Sequence, residues 1–516
     1  MSPNSDQMPA FYLPNHILCQ FVSENSASDS AFSPRDDNHG LILPEWLWQE
    51  MQDVFHGNST GHPAEQPVYP LVPTAAGRTV VLAQCTLSDA GDDAVIAILE
   101  LLRVNGLPNS FSDGRVKLTL AAVSPNWFGG GAGQTIGTGG PGGPPLAPIP
   151  GDQVTKPFVF PNAALNLAPN RGLVPDFDPS HVDVFILDTL PKNIGSRAKG
   201  IVNHVESCDA RLLKELVENN VPLYSAANPY YDMSDHGLFI AGIIRNIAPH
   251  SKIHLIEVLN EYGVGTTMSI AAGCAKVVQL RQSNATACIV NCSFTLSVPI
   301  DPHLVGWPLK VNTTRHPEVE FFMQLLGDHA ATSMTRAGDL FGSILKFIGP
   351  EDEDSTSVAI VAAAGNDTKE TDTNPCPPRY PAALPNVLGV GAMAGDQRAA
   401  YSNIPDSPGA DGLMTLGAIR SVYLNATFPN VVNGQVMPLT APGTGPLVPA
   451  QTHPRSGANA ADWSGTSFAA PVIAGILANM VSVPGRTLAS AQQLLAASVA
   501  ELEPQTKGRI VTVTQA

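Results

Sequence analysis

Charged side chains make up only 14% of the 516 residues, and the basic ones are the scarcer kind: 28 Lys and Arg against 45 Asp and Glu, a net charge of −17. Nucleic acid and anionic membrane surfaces both call for basic patches, so neither is expected as a partner. Cysteine is sparse as well. The seven, at positions 19, 85, 208, 274, 288, 292 and 376, are odd in number and scattered, which excludes a disulfide framework. Cys288 and Cys292 fall in an apolar run and read as core thiols rather than metal ligands. No apolar run reaches membrane-spanning length. The start, MSPNSDQMPAFYLPNHILCQ, has neither a basic stretch nor a continuous apolar one. No secretory signal is therefore expected, leaving the cytoplasm or export by a non-Sec route.

What is present is apolar: hydrophobic residues are 44% of a chain long enough for about two to three domains. Residues 1–60 are rich in Pro, Asn and Ser and read as mostly irregular, with one short helix over LPEWLWQEMQDVF whose first turn holds Pro44. Residues 61–127 read as a small α/β module: a strand in RTVVLAQCTL, a helix in DDAVIAILELLRVNG and a strand in RVKLTLAAV, in a βαβ-like order. From 128 to 175, beginning FGGGAGQTIGTGGPGGPPLAPIP, the composition is that of a Gly/Pro-rich linker.

From 176 to 516, apolar runs alternate with helical segments. VDVFIL, KIHLIEVL, CIVNCSF, VAIVAAAG, NVLGVGAM and VMPLTAP read as strands; RLLKELVEN, GLFIAGIIRN and TMSIAAGCAKVVQL read as helices. Strands apolar on both faces and separated by helices predict an α/β fold, a mainly parallel sheet with helices on both sides. Ligands of such sheets bind beyond the carboxyl ends of the strands. Three polar residues sit at such ends or at helix starts: Asp188 after VDVFIL, His236 before GLFIAG, and Asn366 after VAIVAAAG. A fourth, Ser467, opens SGTSFAAPVIAG (464–475), where apolar and small residues surround a helix that must be buried. Pro471 lies near the start of that helix, where a missing N–H costs least. Each has an ordinary reading: Ser467 and His236 as helix caps, Asp188 and Asn366 as turn residues. Together they supply a nucleophile, a general base, a carboxylate to orient that base and an amide donor for a tetrahedral oxyanion. The chain order Asp, His, Ser and the lack of G-x-S-x-G exclude the α/β-hydrolase arrangement.

On SGTSFAAPVIAG, HGLFIAG and AAAGN, and on the weaker echoes NCSFTL, YGVG, TAPG and AYSN, the region 176–516 resembles the subtilisin-like serine proteases, peptidase family S8. The resemblance implies an endopeptidase acting through an acyl-enzyme. Asp188, His236 and Ser467 would be the triad, and Asn366 with the Ser467 backbone N–H the oxyanion hole. Gly263, Val264, Gly265, Ser293, Phe294, Thr295, Ala363, Ala364 and Gly365 are the implied substrate-contacting residues, and polypeptides the implied partners of a monomer. Sedolisin-like peptidases share a Gly-Thr-Ser motif but use a glutamate base, against which the His236 motif speaks.

The chain departs from the family pattern at Leu190, usually glycine, at Leu238, usually threonine, and at Thr295, usually glycine at the pocket wall. The helix after His236 reaches NIAP without the longer loop that often holds calcium in relatives. No cofactor is expected; calcium stays open, with no site for it readable. An insert at about 296–357 has helical spacing in HPEVEFFMQLL and GDLFGSILKFI and reads either as a rim over the cleft or as a peripheral helical pair. By position and size the 61–127 module reads as an inhibitory propeptide, cleaved off within about 125–175, or as a permanent accessory domain. The alternative to an active peptidase is an impaired homologue serving as a binding or inhibitory module.

Overall fold

In a computed structural model, residues 12–23, 33–34, 41–73, 79–88, 94–105, 109–131, 148–150, 158–160, 182–213, 233–296, 358–406, 412–423, 431–436, 460–501 and 509–515 are described, short interruptions within these stretches apart. The insert at 297–357, TAPG and most of RLLKELVEN and VMPLTAP lie outside them.

The N-terminal module is an antiparallel sheet. Strand β1 (Tyr12–Ser23) lies between β3 (Thr79–Thr86) and β4 (Lys117–Gly131) and is antiparallel to both; β2 (Pro67–Pro73) flanks β3. Strands β3 and β4 are thus parallel to each other across β1, joined through α2 (Ala94–Asn105), so the expected βαβ order is a split one. The reading of 1–60 as mostly irregular is corrected by β1. Its register against β4 breaks between Tyr12 and Ile17, where Asn15 adopts a φ of 62°, and shifts again between Gln20 and Phe21. Ile17, Cys19 and Phe21 face the core shared with α2 and α1 (Glu45–Val54). Pro44 sits just outside α1, at its N-cap.

The second sheet has β5 (Val182–Asp188), β6 (Lys252–Glu257), β8 (Ala287–Cys292), β10 (Val358–Ala363), β11 (Val387–Ala394) and β12 (Leu413–Leu416) in the spatial order β6-β5-β8-β10-β11-β12, all parallel. Val182, Val184 and Ile186 point to one face, where α3 (His236–Ile247) and α5 (Thr466–Val481) pack. Phe185 and Leu187 point to the other, against α4 (Thr267–Leu280). The period of two carries Asp188 onto the α3 side. Strand β12 was missed, since GLMTLGAI is short and bounded by glycines.

The module is not a separate body. Leu18, Val80, Leu82 and Trp127 join the core formed by α4 and β8, and Asn126 bridges Gln84 (2.8 Å) to the Met268 backbone N–H (3.1 Å). Past Trp127, β4 continues through Gly129–Gly131 and pairs antiparallel on both edges. One partner is β7 (Val264–Thr266), the other β9 (Phe294–Leu296). The start of the expected linker is therefore a strand, held by main-chain ladders on two sides, which need no side chains. Ile149–Pro150 and Phe158–Val159 are also paired. No helix among the described residues is long and apolar enough to cross a membrane.

Candidate active site

Asp188, His236 and Ser467 are fully buried, and Asn366 nearly so. Strand β5 delivers Asp188 at its last residue, and α3 delivers His236 at its first; the N-cap is Asp235, so His236 is no cap. The close approach of α3 to the end of β5 requires Gly237: a Cβ there would lie 2.4 Å from the Thr189 carbonyl oxygen and 3.0 Å from the Asp188 Cβ. Asp188 Oδ1 accepts from the Thr189 N–H and from His236 Nδ1, both at 2.7 Å. With Nδ1 donating to a carboxylate, the neutral imidazole carries its lone pair on Nε2. Nε2 is buried and has no partner among the described residues. The ring is clamped by Trp463 and Phe468, each with centroids 5.2 Å away.

Ser467 is the second residue of α5, and the N-cap is Gly465, so the cap reading of Ser467 does not hold. Pro471 is the sixth helical residue and removes the N–H that would have reached the Ser467 carbonyl. Ser293 supplies the missing donor: its hydroxyl bonds that carbonyl at 2.7 Å and accepts from Asn291 Nδ2 at 2.8 Å. In return, the Ser467 hydroxyl donates to the Ser293 carbonyl at 3.1 Å. It is turned to Ser293 and not to His236.

Asn366 follows Gly365, whose φ of +114° turns the chain at the end of β10. Its Oδ1 accepts from the Thr466 N–H at 3.0 Å, so the free half of the amide must be the NH2. That Nδ2 is buried without a partner among the described residues. Thr466 Oγ1 in turn accepts from the Gly365 N–H at 3.2 Å. Asn403 of AYSN braces the same turn, bonding the Ala364 carbonyl, the Asp367 carboxylate and the Asp367 and Thr368 N–H groups. Asn403 and Thr466 went unassigned at the sequence level, although both lie inside the motifs quoted there. The arrangement offers a base, a hydroxyl, an oriented carboxylate and a free amide donor at one sheet edge.

The sequence matches the model of the subtilase family, peptidase S8, over residues 175–510. The chain belongs to the subtilase family. A solved structure of a cold adapted subtilisin-like serine proteinase is 19% identical, covering 67% of this chain and 93% of that one with a TM-score of 0.37. No curated protein matches. The family makes this subtilase a serine peptidase with polypeptide substrates.

The other expected residues divide. Gly263, with a φ of +74°, turns the chain into β7, which Val264 and Gly265 begin, and Ser293, Phe294 and Thr295 form the approach to and start of β9. Both segments flank one slot, which β4 of the same subtilase fills. Phe294 buries its side chain in the core beside α4, so toward the slot it has only backbone to offer; Ala363, at the end of β10, is buried in the core beside α3 and α5. Leu238 packs on Val422. The seven cysteines are free thiols, and burial pushes Cys288 up to about 12, which keeps it protonated and inert. Among the described residues no cluster of His, Cys, Asp and Glu could hold a metal ion.

Proposed function

We propose that this subtilase is a serine endopeptidase with Asp188, His236 and Ser467 as its triad. Ser467 Oγ attacks the scissile carbonyl, and His236 Nε2 takes its proton and passes it to the leaving amine. Asp188 fixes the imidazole and stabilises its charged form. Asn366 Nδ2 and the Ser467 N–H receive the oxyanion; the latter, in the first turn of a helix, has no helical acceptor. The observation that carries this reading is the 2.7 Å bond from His236 Nδ1 to Asp188 Oδ1, which leaves His236 Nε2, without a partner among the described residues, as the basic nitrogen; Asn366 Nδ2 is likewise without a partner there.

In this reading substrate enters the slot between β7 and β9 as an antiparallel strand, by main-chain pairing. The module at 61–127 holds the slot in cis through β4, and cleavage beyond β4 frees it. The core shared with α4 supports a module that docks firmly before any release.

One observation favours the impaired-homologue reading: the Ser467 hydroxyl is bonded to Ser293. A fluorophosphonate probe, read by intact mass beside Ser467→Ala, separates the two. Labelling of the native chain alone is expected, with a mass showing loss of the N-terminal region. No labelling, even with residues 1–131 deleted, would end the peptidase reading. Labelling of a full-length chain at full activity would end only the release step.

A further inference from the structure

Four aromatic side chains build one cluster on the imidazole of His236. Trp463 lies in the strand Ala460–Ser464, which runs into the nucleophile motif, and Phe468 follows Ser467 in α5. Trp463 meets the imidazole with planes at 82° and Phe468 with planes at 57°, both with centroids 5.2 Å away. The two rings also touch each other, with centroids 5.1 Å apart. Phe239 of α3 backs both, at 5.5 Å from Trp463 and 4.9 Å from Phe468, and Tyr423 backs Trp463 at 6.1 Å. All four are buried in the core shared by α3 and α5, so the two inner rings cannot give way without opening it.

The reaction proposed above makes a cation at this place. As Ser467 Oγ bonds the substrate carbonyl carbon, its O–H bond breaks, the proton goes to His236 Nε2 and the carbonyl oxygen takes the electron pair. The imidazolium so formed is fully buried, and burial opposes a charge. Asp188 offsets that cost at Nδ1. Other titratable groups beside the pair are Asp235, at the cap of α3, and Cys292 on β8, whose thiol burial pushes up so that it stays neutral. From α5 and the strand Ala460–Ser464 come the two rings. An aromatic ring attracts a cation within about 6 Å of its centroid, and more strongly where water is excluded; a leucine excludes water as well but lacks that attraction. We propose that Trp463 and Phe468 are positioning residues that hold the imidazole between two π-systems and stabilise its protonated form as Ser467 attacks. The proposal rests on the peptidase reading above.

The test is the second-order rate at which the fluorophosphonate probe labels Ser467, read by intact mass across the acid-to-neutral range. Labelling replaces the P–F bond by a P–Oγ bond, releases fluoride and sends the serine proton to His236. It therefore needs the neutral ring and passes through the imidazolium. Phe468→Leu and Trp463→Leu should each lower the plateau rate about three- to tenfold and move the midpoint of its acid limb about half to one pH unit toward acid. Both signs have one cause: a less favoured imidazolium forms more slowly, and only at lower pH. Trp463→Phe, which keeps a ring, should recover most of both. If Trp463→Leu does not fold, Phe468→Leu decides with Trp463→Phe beside it. A lower plateau with an unmoved limb would mean that the rings only pack; it would overturn the proposal and leave the peptidase reading standing. No labelling of the native chain, with or without residues 1–131, would overturn both.

Discussion

Asn366 does two things with the two ends of one amide. Its oxygen accepts from Thr466 and so caps α5, while its nitrogen has no partner among the described residues. Asn366→Asp keeps an acceptor for the cap and removes the donor. Under the proposed mechanism kcat should fall about a hundred- to a thousandfold with the melting temperature nearly unchanged. Asn366→Ala should lose the same rate and also about 1 kcal/mol of stability. Steady-state kinetics beside thermal unfolding reads both; equal kcat in native and Asp forms would remove Asn366 from the oxyanion site. Ser293 presents the converse case, since its role is to satisfy a carbonyl. Ser293→Ala leaves the Ser467 carbonyl, freed by Pro471, without its donor and should cost about 1–3 kcal/mol in denaturant unfolding. These residue roles were only half legible in the sequence. Residue type and position at strand ends or helix starts singled out Asp188, His236, Asn366 and Ser467. The service Ser293 renders depends on a proline four residues after Ser467 and a strand 174 positions away, which no local pattern reveals.

At the scale of elements, the site depends on how closely α3 approaches the end of β5. Gly237 sets that distance, because a methyl group there meets the Thr189 carbonyl and the Asp188 Cβ. Gly237→Ala should push α3 outward and stretch the 2.7 Å Asp188–His236 bond. A displacement of about 1 Å in such a constellation costs about a hundredfold in rate. Peptidase assays should show that loss, with Ser467 labelling slowed in parallel; unchanged labelling would mean that the helix accommodates the methyl group. The parallel strands and buried helices of 176–516 could be read in advance because their apolar runs are long and unbroken. Strand β1 could not, as a positive-φ asparagine breaks its pattern near the start. Nor could the glycines of β4, whose pairing comes from neighbours distant in sequence. A run of FGGG has the composition of a linker whether or not two edges are waiting for it.

For the whole molecule, the joint between module and peptidase domain runs through a few polar groups. His16 bonds Gln84, Gln84 bonds Asn126, and Asn126 accepts from the first turn of α4. Burial lowers the His16 pKa from its ordinary 6.5 to about 4, with the Gln84 bond pulling the other way. The folded chain therefore binds fewer protons than the unfolded one between those values, and stability falls as pH falls through that window. The full loss, reached near pH 4, is about 3 kcal/mol, and none of it is present well above pH 6.5. Because His16 stands at the head of that chain of bonds, acid should loosen the module before it unfolds the parallel sheet. Amide exchange in β1 and β3 should accelerate between pH 6.5 and 4 while exchange in β5 and β8 stays slow. His16→Asn removes the titrating group and should flatten the pH dependence of β1 and β3. If exchange in β1 rose with acid just as steeply in that variant, the acid sensitivity of the module would have another source.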